Sequence, residues 1–489
     1  MGVLLFCLYL VNLATAISIL FVRKKQVGST LAWLLIFAFA PFLGFILYFF
    51  FGSTMKFKIL SHRWRPSERA AEYARGGIAA QQALLSDKLP ISGQGREEYQ
   101  NLVLSNLHGS GAVYTQDNTA VLLTSAQAKY EKMFAEIEEA TESIHVLYFI
   151  LKAKDESGKR FLQLLTRKAS QGVKVRLIYD TLGCLRTKPA DFLPLERAGG
   201  MVYGYLPSRI ETLLQINYRM HRKMVVIDGK IAYTGGINIG DDYLGYDKRI
   251  KPWRDTSIRL TGSCVRDIQF RFMRDWVYLD SQHKKPYQDK IDAEESLPLY
   301  LKEPEETGNA GVQIICSGPD SSYPYTKESY QMMIAHARRY LYIQTPYFVP
   351  DETLMATLRC AALSGVDVRV MIPGVPDKPY AYHVTFSHMG ELLRCGAKVY
   401  LYPGFLHAKT FVMDDLVSSV GTTNFDIRSF DLDFEINAMV YDREFALECR
   451  HAFENDMRGA TRLTPELYRA RPLKDKIKES LLRLITPLL

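Results

Sequence analysis

Cysteine is scarce and never closely paired: seven residues in 489 (Cys7, Cys184, Cys264, Cys316, Cys360, Cys395 and Cys449), an odd number without a Cys-x-x-Cys. That usage speaks against a disulfide framework and a structural zinc site, and it leans toward a reducing, cytoplasmic setting for most of the chain. Strong charge of one sign is also missing. The formal net charge is +8, and no long basic run interleaved with aromatics marks a nucleic-acid groove, so a nucleic-acid partner is not expected. Histidine is rare too, with ten in the chain, so a repeated histidine pattern stands out.

Charge is nearly absent from residues 3–22 and 31–51, two runs of about twenty residues, the length that crosses a bilayer core. A two-helix transmembrane hairpin over residues 1–55 is expected, followed by a stalk and lead-in over 56–115. Ala14-Thr15-Ala16 would suit a signal-peptide cleavage site, but no basic residue precedes the first run and a second run follows at once. Arg23, Lys24 and Lys25 lie between the spans, whereas Lys56, Lys58, Arg63, Arg65 and Arg69 follow the second. The larger cluster favours a cytoplasmic catalytic region at the cell membrane, and basic residues beside the spans favour an anionic lipid surface.

Against this sparse background one pattern occurs twice. His-x-Lys-x-x-x-x-Asp appears as His221, Lys223, Asp228 and as His407, Lys409, Asp414, each followed by Gly-x-x-Asn at Gly235/Asn238 and Gly421/Asn424. Residues two apart on a strand share a face, so each His and Lys can meet one ligand. Met224–Ile227 and Thr410–Met413 supply the strand-forming residues. A lysine beside each histidine would repel a cation, so no metal is expected and an anion is the natural guest. Two His, two Lys and two Asn around one anion fit phosphoryl transfer. One neutral imidazole attacks phosphorus, a protonated one donates to the leaving oxygen, and Lys and Asn stabilise the equatorial oxygens. The other eight histidines lack the pattern and read as structural, with His145 and His383 alone among them kept as candidates for a further role. Carboxylates should sit behind the histidines to fix tautomer and orientation, and Asp255 and Glu435 occupy corresponding places after the two motifs.

Longer stretches also echo one another. Ile144–Ile150 parallels Leu341–Phe348, Gly172–Arg176 parallels Gly365–Arg369, Arg197–Tyr203 parallels Arg394–Tyr400, and Phe272-x-x-Asp275 answers Phe453-x-x-Asp456. The pattern predicts an α/β protein of two repeats with mixed sheets, related by a pseudo-twofold axis, over 116–280 and 312–470. A polar connector is expected at 281–311. In the tail, 471–489, apolar Ile477, Leu481, Leu484, Ile485 and Leu488 alternate with Lys474, Lys476, Lys478 and Arg483. That pattern suits either an interfacial helix or one packed on the domain.

These residues resemble the bacterial cardiolipin synthases of the phospholipase D superfamily. The likeness includes Thr30-Leu-Ala-Trp33, Thr345-Pro-Tyr-Phe348 with Pro350-Asp351-Glu352, Gly404-Phe-Leu-His407-Ala-Lys409, Gly421-Thr-Thr-Asn-Phe-Asp426 with Arg428-Ser429, and Pro487-Leu-Leu489. The resemblance implies one phosphate site without metal or cofactor, and conversion of two phosphatidylglycerol molecules to cardiolipin and glycerol through a phosphatidyl-histidine. By similarity His221 is the nucleophile, His407 the general acid and later base, and Lys223, Lys409, Asn238 and Asn424 hold the phosphate. Asp228 and Asp414 are expected to anchor strand ends by ion pairing. Asp433 departs from an Asn common in the family, and its charge is expected near the second motif, where it would bear on His407. A phospholipase D or phosphatidylserine-forming transferase is the runner-up. A nuclease-like phosphodiesterase and a non-catalytic scaffold fit less well.

Overall fold

The two echoing halves each supply seven strands to one sheet. In the first half these are β1 (Thr115–Leu123), β2 (Ser143–Tyr148), β3 (Lys174–Asp180), β4 (Met201–Tyr205), β5 (Met224–Ile227), β6 (Ile231–Gly235) and β7 (Ser257–Thr261). The second half repeats them as β8 (Ala310–Ser317), β9 (Tyr340–Gln344), β10 (Asp367–Pro373), β11 (Lys398–Tyr402), β12 (Thr410–Met413), β13 (Val417–Gly421) and β14 (Glu435–Tyr441), with β15 (Thr461–Leu463) at one edge. This computed structural model describes residues 96–206, 217–247, 250–283, 296–302 and 308–485, with Val27–Phe39 and a few single positions besides.

The described strands run in the order β15-β11-β10-β9-β12-β13-β14-β8-β1-β7-β6-β5-β2-β3-β4. Read outward from the β8–β1 seam, each strand of one half meets its repeat in the other. Within each half, β2–β3–β4 and β9–β10–β11 pair in parallel and the remaining contacts are antiparallel. The sheet is therefore mixed, as the repeats predict. The central strands β2, β5, β9, β12 and β14 are buried along nearly their whole length, as strands covered on both faces must be.

The repeated glycines have a backbone reason. Gly172 and Gly365 end the helices before β3 and β10 at φ 91° and 96°, a left-handed conformation that disfavours any residue with a Cβ. One apolar cluster is shared by the halves. Phe272 and Trp276 of the helix Cys264–Gln282 and Phe445 and Phe453 of the helix Arg443–Arg458 lie within it. Two further clusters belong to one half each.

Two segments carry more packing than a reading by composition gives them, and the tail takes the packed one of its two alternatives. The stretch read as a connector buries Ile291, Tyr300 and Leu301, and its Asp289 binds Arg176 at 2.5 Å. The helix Arg96–Ser110 of the lead-in buries Tyr99, Leu102 and Val103 in the second half's cluster. In the tail, the helix Leu473–Ile485 packs on Pro379–Arg394; its buried Glu479 binds Arg471 at 2.7 Å, and Arg471 lies over the Phe386 ring of the other helix. Most of the hairpin over 1–55 and the stalk before residue 96 lie outside the described residues. Among those described, no helix is long and apolar enough to cross a membrane.

Candidate active site

Each His-Lys segment is an extended lead-in to its strand, and each is pinned to the opposite half. Arg219 bridges Asp433 in parallel, with the Phe434 N–H donating to the Arg219 carbonyl at 2.8 Å. In the same way Phe405–Leu406 pairs in parallel with Trp253–Arg254, and the His407 N–H donates to the Arg254 carbonyl at 2.7 Å. Two residues beyond the first contact stand His221 and Glu435; one beyond the second stand His407 and Asp255. The carboxylates are thereby exchanged between halves. His221 Nδ1 lies 2.8 Å from Glu435 Oε1, and His407 Nδ1 lies 2.7 Å from Asp255 Oδ2.

These carboxylates define the imidazole tautomers. Glu435 Oε2 accepts from the Thr422 hydroxyl at 2.5 Å and Asp255 Oδ1 from the Thr256 N–H at 2.7 Å. One oxygen of each is left to accept from Nδ1–H. Nε2 of both rings then carries the reactive lone pair or proton. Phe149 packs edge-on against His221 at 4.8 Å, while Trp253 and Phe405 lie 5.6 and 5.7 Å from His407. The rings restrict both imidazoles and keep water from them.

Lys223 donates to the His221 carbonyl at 2.6 Å and Lys409 to the His407 carbonyl at 2.5 Å. Both are buried. Burial holds the Lys223 ammonium well below its usual range and brings Lys409 down to about 8. Desolvation likewise holds His221 well below the imidazole range, aided by Lys223, Lys409 and His407. It brings His407 to about 4, with Lys409 adding to the drop and Asp255 opposing it. Each histidine thus feels the lysine of the opposite half, which places the four groups around one pocket. Both lysines are lowered by burial in spite of the Glu435 and Asp255 carboxylates nearby, and an anion placed against them would restore what burial removes.

The amides sit differently from one another. Asn238 Oδ1 accepts from the Ile150 N–H at 3.0 Å and Nδ2 donates to Tyr243 at 2.7 Å. Asn424 Nδ2 meets the Ser429 hydroxyl at 3.1 Å, leaving buried Oδ1 without a partner. Exchanging its O and N, two atoms of nearly equal size, lets Ser429 donate and frees an N–H for a ligand.

Asp228 and Asp414 lie at the far ends of β5 and β12, roughly 20 Å from their histidines at about 3.3 Å per strand residue. Their partners are backbone amides rather than cations. Asp228 accepts from the N–H groups of Thr141, Glu142 and Ser143 at 2.8–2.9 Å. Asp414 accepts from those of Arg338, Arg339 and Tyr340 at 2.7–2.8 Å. Both have positive φ, 51° and 56°, a conformation Asp tolerates in turns. The expected ion pairing is corrected accordingly: a carboxylate satisfies three strand-start N–H groups at once.

Asp433 is also placed differently from the expectation. It clusters with His221 and Glu435, their ligand atoms within 4.8 Å of one another, rather than with His407. The cause is the Arg219–Asp433 bridge between halves. This trio has the atoms to hold a metal, but Glu435 already accepts from His221 and Thr422. Asp433 faces Arg428 at 3.5 Å, and the Lys223 ammonium lies in the same field. A cation there would displace those partners and meet that positive charge. Of the two histidines singled out, His145 is wholly buried between Gln269 at 2.9 Å and Arg176 at 3.0 Å, stacked on Phe272. It is a core residue. His383 lies on the helix Pro379–Arg394 with its ring edge-on to Tyr382.

Sequence reasoning missed Lys129, which buries its ammonium against the Ile237 carbonyl at 2.7 Å and faces Asp255. It also missed Thr422 and the aromatic wall. Trp253, one step before Arg254-Asp255, was the available signal for that wall.

The model of the family described as "Cardiolipin synthase, PLD-like domain" matches residues 133–249 and 330–457, and that of "Phospholipase_D-nuclease N-terminal" matches residues 10–53. The major cardiolipin synthase ClsA of Bacillus subtilis is 39% identical, covering 100% of this chain and 99% of its own. The cardiolipin synthases of Oceanobacillus iheyensis (40%, 98% of each chain) and Listeria welshimeri (39%, 99% of each) are similar over the same extent. The crystal structure of phosphatidylserine synthase from Haemophilus influenzae shares the fold, with a TM-score of 0.58 at 17% identity over 81% of this chain and all of that one. Matched over both repeats and along almost its full length, the chain belongs to the cardiolipin synthase family of phospholipase D-like proteins.

Proposed function

We propose that the protein is a phosphatidyltransferase that joins two phosphatidylglycerol molecules into cardiolipin and releases glycerol. The reciprocal pairs His221–Glu435 and His407–Asp255 carry this reading. They hold two imidazoles, one from each half, in the same tautomer and facing one phosphate.

His221, held neutral by burial and the cations around it, serves as nucleophile. Its Nε2 lone pair forms the P–N bond while the P–O bond to the head-group glycerol breaks. The departing oxygen takes the proton of His407 Nε2. Burial and the lysines hold the His407 imidazole low; the incoming phosphodiester offsets the lysine charges and returns proton affinity to it. The second lipid's glycerol hydroxyl then loses its proton to His407, and its oxygen displaces His221 from phosphorus. Lys223, Lys409 and the amides of Asn238 and Asn424 stabilise the equatorial oxygens throughout. Asp228 and Asp414 act at a distance by fixing the starts of β2 and β9.

The match of residues 10–53 to an N-terminal family module, together with the two uncharged runs, supports a membrane hairpin over 1–55. The stalk of 56–115, the halves at 116–280 and 312–470, the connector at 281–311 and the tail at 471–489 complete the proposed layout. Basic residues after the second run favour a cytoplasmic catalytic region working on the anionic lipid of the cell membrane. Incubating the purified full-length protein with phosphatidylglycerol alone, without added metal, should yield cardiolipin and glycerol in equal amounts. Phosphatidic acid as sole product would mark a phospholipase D, and products only when serine is added would mark the serine transferase.

A further inference from the structure

Behind the histidine segment lies a second charged cavity that the transfer reaction does not use. Side chains alternate along residues 219–223, so His221 and Lys223 face the phosphate pocket and Arg222 turns away. There its Nη1 binds Asp275 at 2.7 Å. Asp275 shares its other oxygen with Arg271 at 2.5 Å, and Arg271 reaches Asp320 at 3.0 Å. This row of ions ends at the wall of a cavity of about 720 Å³ lined by Arg266, Arg271, Arg274, Asp320, Phe270 and Ile314, among others. None of the catalytic groups lines it.

Two groups on this wall have unmet needs. No hydrogen bond or ion pair to Arg274 exists among the described residues. Its Nε is buried without a partner, and its guanidinium sits among the like charges of Arg271 and Arg222 and the carboxylates of Asp320 and Asp275. Asp320 gives Oδ2 to Arg271, while its buried Oδ1 has no donor. A guanidinium without a hydrogen bond, in a wall that carries three arginines, and a carboxylate oxygen without a donor fit a ligand that is both anion and alcohol. Phe270 and Ile314 offer apolar contact to a carbon chain between the two.

We propose that this cavity is an effector site for a phosphoglycerol group, with Arg274 and Arg266 on the phosphate and Asp320 accepting from a glycerol hydroxyl. The group belongs either to a lipid head or to a water-soluble glycerol phosphate. Occupancy is relayed to the catalytic centre along Arg271, Asp275 and Arg222. The Nε of Arg222 donates to the Glu435 carbonyl at 3.2 Å, and Glu435 orients His221. The proposal holds whichever acceptor the catalytic pocket uses.

The test is calorimetric titration of full-length protein in detergent micelles with glycerol phosphate. Binding is expected in wild type and in the Lys223→Ala/Lys409→Ala variant, whose catalytic pocket has lost its cations. It should weaken about tenfold or more in Arg274→Gln and recover in part in Arg274→Lys. Thermal unfolding of Arg274→Gln matching wild type separates the loss from misfolding. Inorganic phosphate should bind about tenfold more weakly than the ester, a preference that Asp320→Asn abolishes. Binding that survives Arg274→Gln but vanishes in the lysine variant would overturn the proposal by placing the ester in the catalytic pocket, and equal binding of inorganic phosphate would refute the hydroxyl contact. Displacement of the bound ester by phosphatidylglycerol micelles assigns the site to a lipid head group; retention assigns it to the soluble ester.

Discussion

Replacing Glu435 by Gln tests the exchange of carboxylates between halves. The side chain is wholly buried, 2.8 Å from His221 Nδ1 and 2.5 Å from the Thr422 hydroxyl. Gln keeps the shape and can still bond both, so the fold should survive. Burial raises the Glu435 carboxyl well above its usual range, with the Lys223 ammonium opposing; as the imidazole becomes cationic on bonding to phosphorus it favours the carboxylate, and that negative charge is what Gln removes. A hydrogen bond to a charged group is worth roughly 1.5–3 kcal/mol, and each 1.36 kcal/mol is about tenfold in rate. The expected fall in kcat is therefore about ten- to a hundredfold, with KM for phosphatidylglycerol little changed because the lysines remain. Rapid-quench measurement with labelled phosphatidylglycerol should locate the slowed step in formation of the phosphatidyl-histidine. Asp255→Asn, behind His407, should instead slow proton transfer to the leaving glycerol, so a leaving group that needs no proton should restore its first step but not that of Glu435→Gln. Turnover of Glu435→Gln within about twofold of wild type would sink the orienting role.

Other outcomes follow from burial. The profile of kcat/KM should fall above pH about 8 as Lys409 loses its proton, and Lys409→Arg should move that decline to higher pH; an unchanged alkaline limb would contradict the assignment. His407 titrates near 4 folded against 6.5 unfolded, so as pH drops the unfolded chain takes its proton first. Stability contributed by this group is whole above pH 6.5 and shrinks toward pH 4 by up to about 3 kcal/mol. Denaturant titrations of His407→Asn over that window should show a shallower loss. Asp414→Ala strands three backbone N–H groups and should lower stability by about 1–3 kcal/mol for each one that water does not reach, while folded enzyme keeps its kcat. Asp275→Asn leaves Arg222 and Arg271 facing each other in the core and should destabilise by roughly 3–5 kcal/mol, read as a lower unfolding midpoint.

The duplicated His-Lys-Asp pattern, the recurrence of Gly172 and Gly365 and the period-two strands were all legible from residue order, because each depends on neighbours within a few positions; the left-handed backbone of the two glycines came from the structure. The mixed sheet of two repeats followed from their echo. The pairing of His221 with Glu435, 214 residues away, and of His407 with Asp255, 152 away, depended on strands of opposite halves lying side by side. Nothing local encodes which lead-in meets which carboxylate segment. The same long-range contact moved Asp433 from the neighbourhood of His407 to that of His221.

Residue order by itself determined that two imidazoles and two ammonium groups would recur on equivalent strands, since alternation and repetition are properties of the chain. Tertiary structure alone decided that they would be buried together, each histidine oriented from across the seam and stripped of solvent until its charge depends on an incoming anion. Desolvation and Coulomb forces act through space, between groups that the chain itself keeps far apart.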